Sequence, residues 1–182
     1  MREAGTPRGE DMAKAKKVAI LVEELYQVLE VWYPLLRLKE EGMQAVLVGS
    51  GSKPVFGSKE GYPAKADCSI HDITSKDFDG VVIPGGFAPD FMRREPKMAK
   101  FVRQIHDEGK VVAAICHGGW MLVSAGILKG RRATSFFAIK DDLIAAGAKY
   151  LDKEVVVDKN LVTSRKPEDL PRFVQAIIKL IK

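Results

Sequence analysis

Short apolar runs separated by helical patterns predict an α/β chain with a doubly wound, mostly parallel sheet and helices on both faces. Three observations carry that expectation. Lys17–Val22, residues 45–48, residues 78–84 and Val111–Ile115 lack the strict apolar–polar alternation of a sheet with one wet face, so they read as strands buried on both sides. Between them the apolar spacing turns helical, and glycines stand where those helices should stop. At Cys116-His117-Gly118-Gly119 a strand passes into a helix with almost no connecting loop.

Lys17–Val22 is the first strand, and Glu23-Glu24-Leu25-Tyr26-Gln27 is a polar turn at its carboxyl end, where ligand crevices open in such sheets. From Leu29 the spacing is helical, with Val31, Leu35 and Leu38 on one face. Pro34 falls in the first turns, where its cost is modest, and Gly42 closes the helix before the strand at 45–48. Gly49-Ser50-Gly51-Ser52-Lys53 lacks the third glycine and the following helix of a dinucleotide fingerprint. Residues 55–63 read as a small hairpin. The strand at 78–84 ends in Gly85-Gly86, which is either a tight turn or a loop that offers bare N–H groups to an oxyanion.

A helix over 96–108, with Pro96 in its first turn and Gly109 behind it, leads into the strand Val111–Ile115. Trp120 to Gly126 reads as the helix after the junction. A short strand at 133–135 and a helix over 139–146 ended by Gly147 follow. Residues 154–158 and 161–164 flank Lys159-Asn160, a hairpin turn in which Asn160 is expected at positive φ. The last helix starts from Pro167, with Leu170, Phe173, Ala176, Ile177 and Leu180 on one face.

The 182 residues, 46% hydrophobic and 29% charged, suffice for one sizeable core. The expected organisation is a disordered leader over 1–16, in which Met12 offers an alternative start, and one domain over 17–182. The leader mixes charges with Gly and Pro and carries no apolar signal segment, and no apolar run reaches membrane-spanning length. A net charge of +5 permits contact with nucleic acid, yet 29 basic residues are interspersed with 24 acidic ones, so a nucleic-acid partner is not expected. The two cysteines, Cys68 and Cys116, make no disulfide framework and point to a reducing, cytoplasmic setting. His71 follows Cys68 by three residues, but no second pair with zinc spacing exists, so Cys68 reads as structural and no metal is expected. His106, among Arg103, Asp107 and Glu108, reads as solvated.

Cys116 sits where a strand ends and a helix begins, the position of a nucleophile elbow. Unpaired N–H groups and the helix dipole favour thiolate there, so the thiol is expected below its ordinary pKa range. The alternative is a buried structural cysteine capping a core strand.

Ala114-Ile115-Cys116-His117-Gly118 resembles the signature of the ThiJ/PfpI family. So do Val82-Ile83-Pro84-Gly85-Gly86, Leu29-Glu30 before Tyr33-Pro34, Gly130-Arg131-Arg132-Ala133-Thr134, Ile139-Lys140-Asp141-Asp142 and Val155-Val156-Val157-Asp158, in the same order. The resemblance covers about residues 17 to 182. It implies a flavodoxin-like sheet of the class I glutamine-amidotransferase-like kind, a Cys116 nucleophile and no cofactor. It also implies that Glu30 is the carboxyl that hydrogen-bonds the sulfur; otherwise Glu30 is a solvated acid at a helix start. Gln27 stands where such sequences often carry a second glutamate.

In the family's oligomers a glutamate of a neighbouring subunit holds the histidine after the nucleophile. Asp90 stands at that position, so the resemblance implies a Cys116–His117–Asp90 triad shared between subunits of a dimer or hexamer. Without that role Asp90 is a helix N-cap. The expected site is therefore Cys116, His117, Glu30 and Asp90, with Gly85, Gly86 and the His117 N–H binding an oxyanion. Tyr26, Phe87, Trp120 and Phe136-Phe137 are candidates for the substrate wall.

The implied activity is that of a cysteine-dependent hydrolase acting on peptides or on glyoxal and methylglyoxal adducts, with a role in stress protection. The competing reading is a redox sensor or chaperone-like protein in which oxidation of Cys116 is the function. A glutaminase subunit is disfavoured because no histidine follows His117.

Overall fold

A computed structural model describes residues 15–182. The expectations for the leader and for a start at Met12 lie outside the described residues, save positions 15 and 16. β1 (Lys17–Val22) is apolar after its first residue, and Val18 to Val22 have no exposed surface. The Val, Ile and Leu side chains among them each contribute about 1.5–3 kcal/mol on burial, before the entropy of ordering the chain is subtracted. α1 (Val28–Glu40) buries Glu30, Val31, Pro34, Leu35 and Leu38, so the predicted stripe is the buried one. Its N-cap is Gln27, whose side chain accepts the Glu30 N–H.

β2 (Gln44–Gly49) is followed by the hairpin of β3 (Val55–Gly57) and β4 (Pro63–Lys65), and by the two-residue β5 (Cys68–Ser69). β6 (Gly80–Ile83) is wholly buried and precedes α2 (Ala88–Met92) and α3 (Pro96–Asp107). β7 (Val111–Ile115) is also wholly buried; a single 3₁₀ turn, Cys116–Gly118, joins it to α4 (Gly119–Ala125), which Gly126 ends in the left-handed region. β8 (Arg132–Ala133), α5 (Lys140–Ala145) and β9 (Lys149–Tyr150) form a small unit in which the two strands pair in parallel. β10 (Val155–Asp158), β11 (Leu161–Ser164) and α6 (Leu170–Ile181) complete the chain.

The main sheet has seven strands in the order β10-β11-β7-β6-β1-β2-β5, parallel except for β10 against β11. α1 packs with α6 and α3 packs with α4, which places helices on both faces. From β1 the chain moves outward to β2, then crosses to β6 on the other side. The carboxyl ends of β1 and β6 therefore flank the crevice where loops diverge.

Three local expectations are corrected. Lys159, not Asn160, takes the positive φ, 55°, in the last hairpin. Asn160 instead turns its amide inward to donate to the carbonyls of His106 and Lys110. Leu180 is 40% exposed while Val174, Ile178 and Ile181 are buried, because the regular helix begins at Leu170, after a 3₁₀ turn at Pro167–Asp169. His106 is not solvated: Nδ1 lies 3.1 Å from Asp107 and Nε2 lies 3.2 Å from Arg131.

Candidate active site

Cys116 follows β7 with φ of 58°, a left-handed conformation that costs a non-glycine residue about 1–2 kcal/mol. The turn lifts the thiol out of the sheet toward the end of β6. Gly118 permits that geometry, since a Cβ there would lie 2.6 Å from the Ile83 carbonyl oxygen. The residue is 8% exposed, and its sulfur lies 3.3 Å from His117 Nδ1. Adjacent side chains on a turn usually diverge; here the tight 3₁₀ geometry brings them together. The imidazole is fixed by Phe136, stacked at 4.9 Å between centroids, and by Trp120, edge-on at 5.3 Å.

Glu30 enters from the third position of α1 and has no exposed surface. One oxygen, Oε2, accepts the Gly85 N–H at 2.6 Å, and the carboxyl also interacts with the Cys116 sulfur. Oε1 has no partner of ordinary hydrogen-bond geometry. Burial raises Glu30 from 4.5 to about 7, opposed by the Gly85 N–H and the sulfur. Burial likewise pushes the Cys116 thiol up to about 12; the Glu30 carboxylate adds to that rise, while the N–H groups of His117 and Gly86 pull against it. The expectation of a lowered thiol pKa is corrected: α4 spans only seven residues, and burial beside a carboxylate outweighs its terminus. Thiol and acid titrate as a pair. A proton resting on Glu30 removes the charge that opposes ionisation of the thiol. His117 is lowered by its own burial and by the field of Lys59, which keeps the imidazole neutral and able to accept a proton.

A cavity of about 170 Å³ opens onto the sulfur, lined by Gln27, Glu30, Lys59, Gly86, Phe87, Cys116, His117, Phe136 and Pro167. A larger groove of about 730 Å³ runs along α3 but holds neither the thiol nor Glu30. The structure thus gathers Cys116, His117, Glu30 and Gly86, four of the expected site residues. Gly85 differs from expectation, because Glu30 takes its N–H, leaving Gly86 and His117 to face the sulfur. Tyr26 is corrected from substrate wall to core: it has no exposed surface, and its hydroxyl donates to the Tyr62 carbonyl and accepts from Trp32. Trp120 does not line the cavity but braces His117, its ring N–H donating to Asp142. Asp90 is the third residue of α2 rather than its N-cap, and within the chain it pairs with Arg94. Among the described residues no group of three His, Cys, Asp or Glu side chains is placed to hold a metal, and no helix is long and apolar enough to cross a membrane.

Sequence reasoning read Pro167 only as a helix start and missed Lys59 altogether, though both line the cavity. Lys59 stands in the hairpin turn, far along the chain from the elbow, and no local pattern marks it.

The DJ-1/PfpI family model matches residues 16–180. The chain is 43% identical over 166 residues to Deglycase PfpI of Pyrococcus furiosus, covering 91% of this chain and 99% of that one. It is 37% identical over 169 residues to Protein/nucleic acid deglycase 2 of Escherichia coli, covering 92% and 98%. Among solved structures it superposes with a TM-score of 0.88 at 44% identity on a two-domain protein from Anabaena variabilis that contains DJ-1/ThiJ/PfpI-like and ferritin-like domains. That match covers 90% of this chain and 47% of the two-domain chain.

Proposed function

The chain belongs to the DJ-1/PfpI family, and from that membership we propose that it is a cysteine-dependent deglycase, removing glyoxal- or methylglyoxal-derived groups from amino or thiol carriers. The observation that carries this reading is the small cavity in which a thiol, a buried acid of raised pKa and two inward N–H groups converge. With liquid water occupying about 30 Å³ per molecule, 170 Å³ accommodates a two- or three-carbon unit beside the sulfur.

In the proposed reaction the Cys116 thiolate attacks the hemiaminal or hemithioacetal carbon. A new C–S bond forms as the bond to the carrier breaks, and the carrier leaves with the proton held by Glu30. The hydrogen on that carbon then moves to the neighbouring carbonyl carbon. The oxygen charge that develops is held by the N–H groups of Gly86 and His117. One carbon is oxidised as its neighbour is reduced, leaving a hydroxyacyl thioester that water cleaves to a hydroxy acid and the free thiol. No external oxidant or reductant enters.

We further propose that the site is completed by a second copy. Phe87 is 60% exposed at the cavity mouth, and the side chain of Asp90 on the same segment is 47% exposed, so a neighbour's His117 that approached this surface would compete with Arg94 for its carboxylate. The test uses the methylglyoxal adduct of N-acetylcysteine. Wild type should release N-acetylcysteine and lactate, whereas C116A and D90A should each be inactive. Mixed after subunit exchange, the two variants should recover partial activity, because some sites then carry both residues. Activity in C116A sinks the deglycase reading; activity in D90A, or an inactive mixture of folded and exchanging subunits, sinks only the shared site.

A further inference from the structure

We propose that Lys59 is a substrate-anchoring residue that selects carriers bearing a carboxylate close to the adducted atom. The proposal rests on the deglycase reading for the identity of the adduct, and on the cavity alone for the anchor. The reacting carbons sit beside the sulfur in this pocket of about 170 Å³, and a larger carrier emerges at its mouth. Two charged side chains line the cavity, and they occupy different places. Glu30 is buried and engaged by Gly85 and the sulfur. Lys59 is at the rim with 42% of its side chain exposed, close enough for its charge to lower the pKa of both Glu30 and His117.

The hairpin turn holds this lysine in place. Its backbone N–H donates to the Tyr26 carbonyl at 2.9 Å, and the N–H of Leu25 donates to the Gly57 carbonyl at 2.8 Å. The neighbouring Glu60 pins the turn to the start of α1, accepting from the Val28 N–H at 3.1 Å and the Gln27 amide at 3.3 Å. Glu60 is also the ion-pair partner of Lys59, at 3.5 Å, but it divides its charge among all three donors. An ammonium has three N–H groups, which leaves Lys59 the capacity to bind a second carboxylate at the mouth. Phe87, on the opposite segment, offers the carrier an apolar contact. The recognised group is thus an α-amino acid carboxylate near its adducted side chain.

Two measurements on the full-length chain test this. The first needs no turnover: the rate constants for alkylation of Cys116 by iodoacetate and by iodoacetamide, located by mass spectrometry. The reagents differ by one charge, so their ratio cancels any effect of Lys59 on the thiol itself. Lys59→Met should lower the iodoacetate-to-iodoacetamide ratio about fivefold, as expected for a part-exposed ion pair, and Lys59→Arg should keep it near wild type. The wild-type ratio should fall with added salt. The second measurement compares KM for the methylglyoxal adducts of N-acetylcysteine and its amide. The acid should show about fivefold lower KM than the amide, a gap that Lys59→Met closes and Lys59→Arg retains. An alkylation ratio unchanged in Lys59→Met overturns the anchor. A ratio that falls while neither adduct is turned over leaves the anchor standing and overturns the adduct class along with the deglycase reading.

Discussion

The two ends of the central sheet carry buried polar clusters of opposite character. Where β7 and β11 begin, Arg131 is held by the Asp158 carbonyl and carboxylate, by Asn160 and by the His106 ring, and Asn160 in turn satisfies two carbonyls. Where β6 and β7 end, Glu30 keeps an oxygen without a hydrogen-bond partner among the described residues, Cys116 is left-handed, and the Glu30 carboxylate opposes ionisation of the thiol. Both clusters contain an acid and a histidine, so residue types do not separate them. The difference lies in charge: Arg131 sets a cation against the Asp158 carboxylate, although its Nε lacks a partner of hydrogen-bond geometry, whereas at the other end a carboxyl faces a thiol whose ionisation it opposes. Opposite charges set against each other hold structure together, whereas an acid and a thiol crowded beside a cavity in a strained turn have perturbed ionisation and retain the capacity to react.

The largest expected effect comes from Glu30→Gln, which retains the shape and an acceptor for the Gly85 N–H while removing the titratable acid. Turnover should fall by about 10²-fold. Stability should change in the opposite direction above neutral pH. The folded-state pKa of Glu30 is raised from 4.5 to about 7, so between those values the unfolded chain binds fewer protons and wild-type stability declines as pH rises. That loss is on the order of 3 kcal/mol, present in full above pH 7 and absent below 4.5. Denaturant unfolding at pH 5 and pH 8 should show the slope in wild type and its flattening in the variant. An unchanged slope would place the acid outside the ionising pair.

At the opposite end, Arg131→Met should cost about 3 kcal/mol in unfolding free energy, because it leaves Asp158 and Asn160 without their shared cation in a mostly buried setting. kcat per folded molecule should stay at the wild-type value. A matching fall in kcat would show that the two ends are coupled and that the contrast drawn between them is false.

The smallest effect concerns backbone strain at the elbow. C116G should be more stable than C116A by about 1 kcal/mol, the reverse of the usual order, because glycine accepts φ of 58° without penalty. Equal stability in thermal unfolding would mean that the elbow stores no strain.

Much of this was legible along the chain. Val111–Ile115 with the abrupt Cys116-His117-Gly118-Gly119 junction is a local pattern, and local patterns specify strand, turn and helix directly. The hairpin at Val55–Gly57 and Pro63–Lys65 was equally readable. Lys59 was not, since its approach to the sulfur depends on how that hairpin docks against residues 25–28. Tyr26 misled because the carboxyl end of a strand is a favoured place for ligands, yet its ring turns inward to Trp32 and Tyr62. The thiol's pKa followed from burial and from an acid on a distant helix, both properties of the assembled fold. In α6 the apolar stripe drifted from expectation because its count began one turn early, at Pro167.

Gly85 closes β6 with no side chain, and an added Cβ would lie 2.7 Å from that of Cys116, 2.8 Å from Glu30 Oε2 and 2.8 Å from the His117 nitrogen. The bare Gly85 backbone therefore fits the space between thiol and acid, placed there by the registered neighbours Ile83 and Ala114 on β6 and β7 and by the Glu30 side chain reaching in from α1. Catalysis in such a centre is a gauge of three elements at once: it should fade when the end of β6, the turn after β7 or the first turn of α1 moves away from the other two.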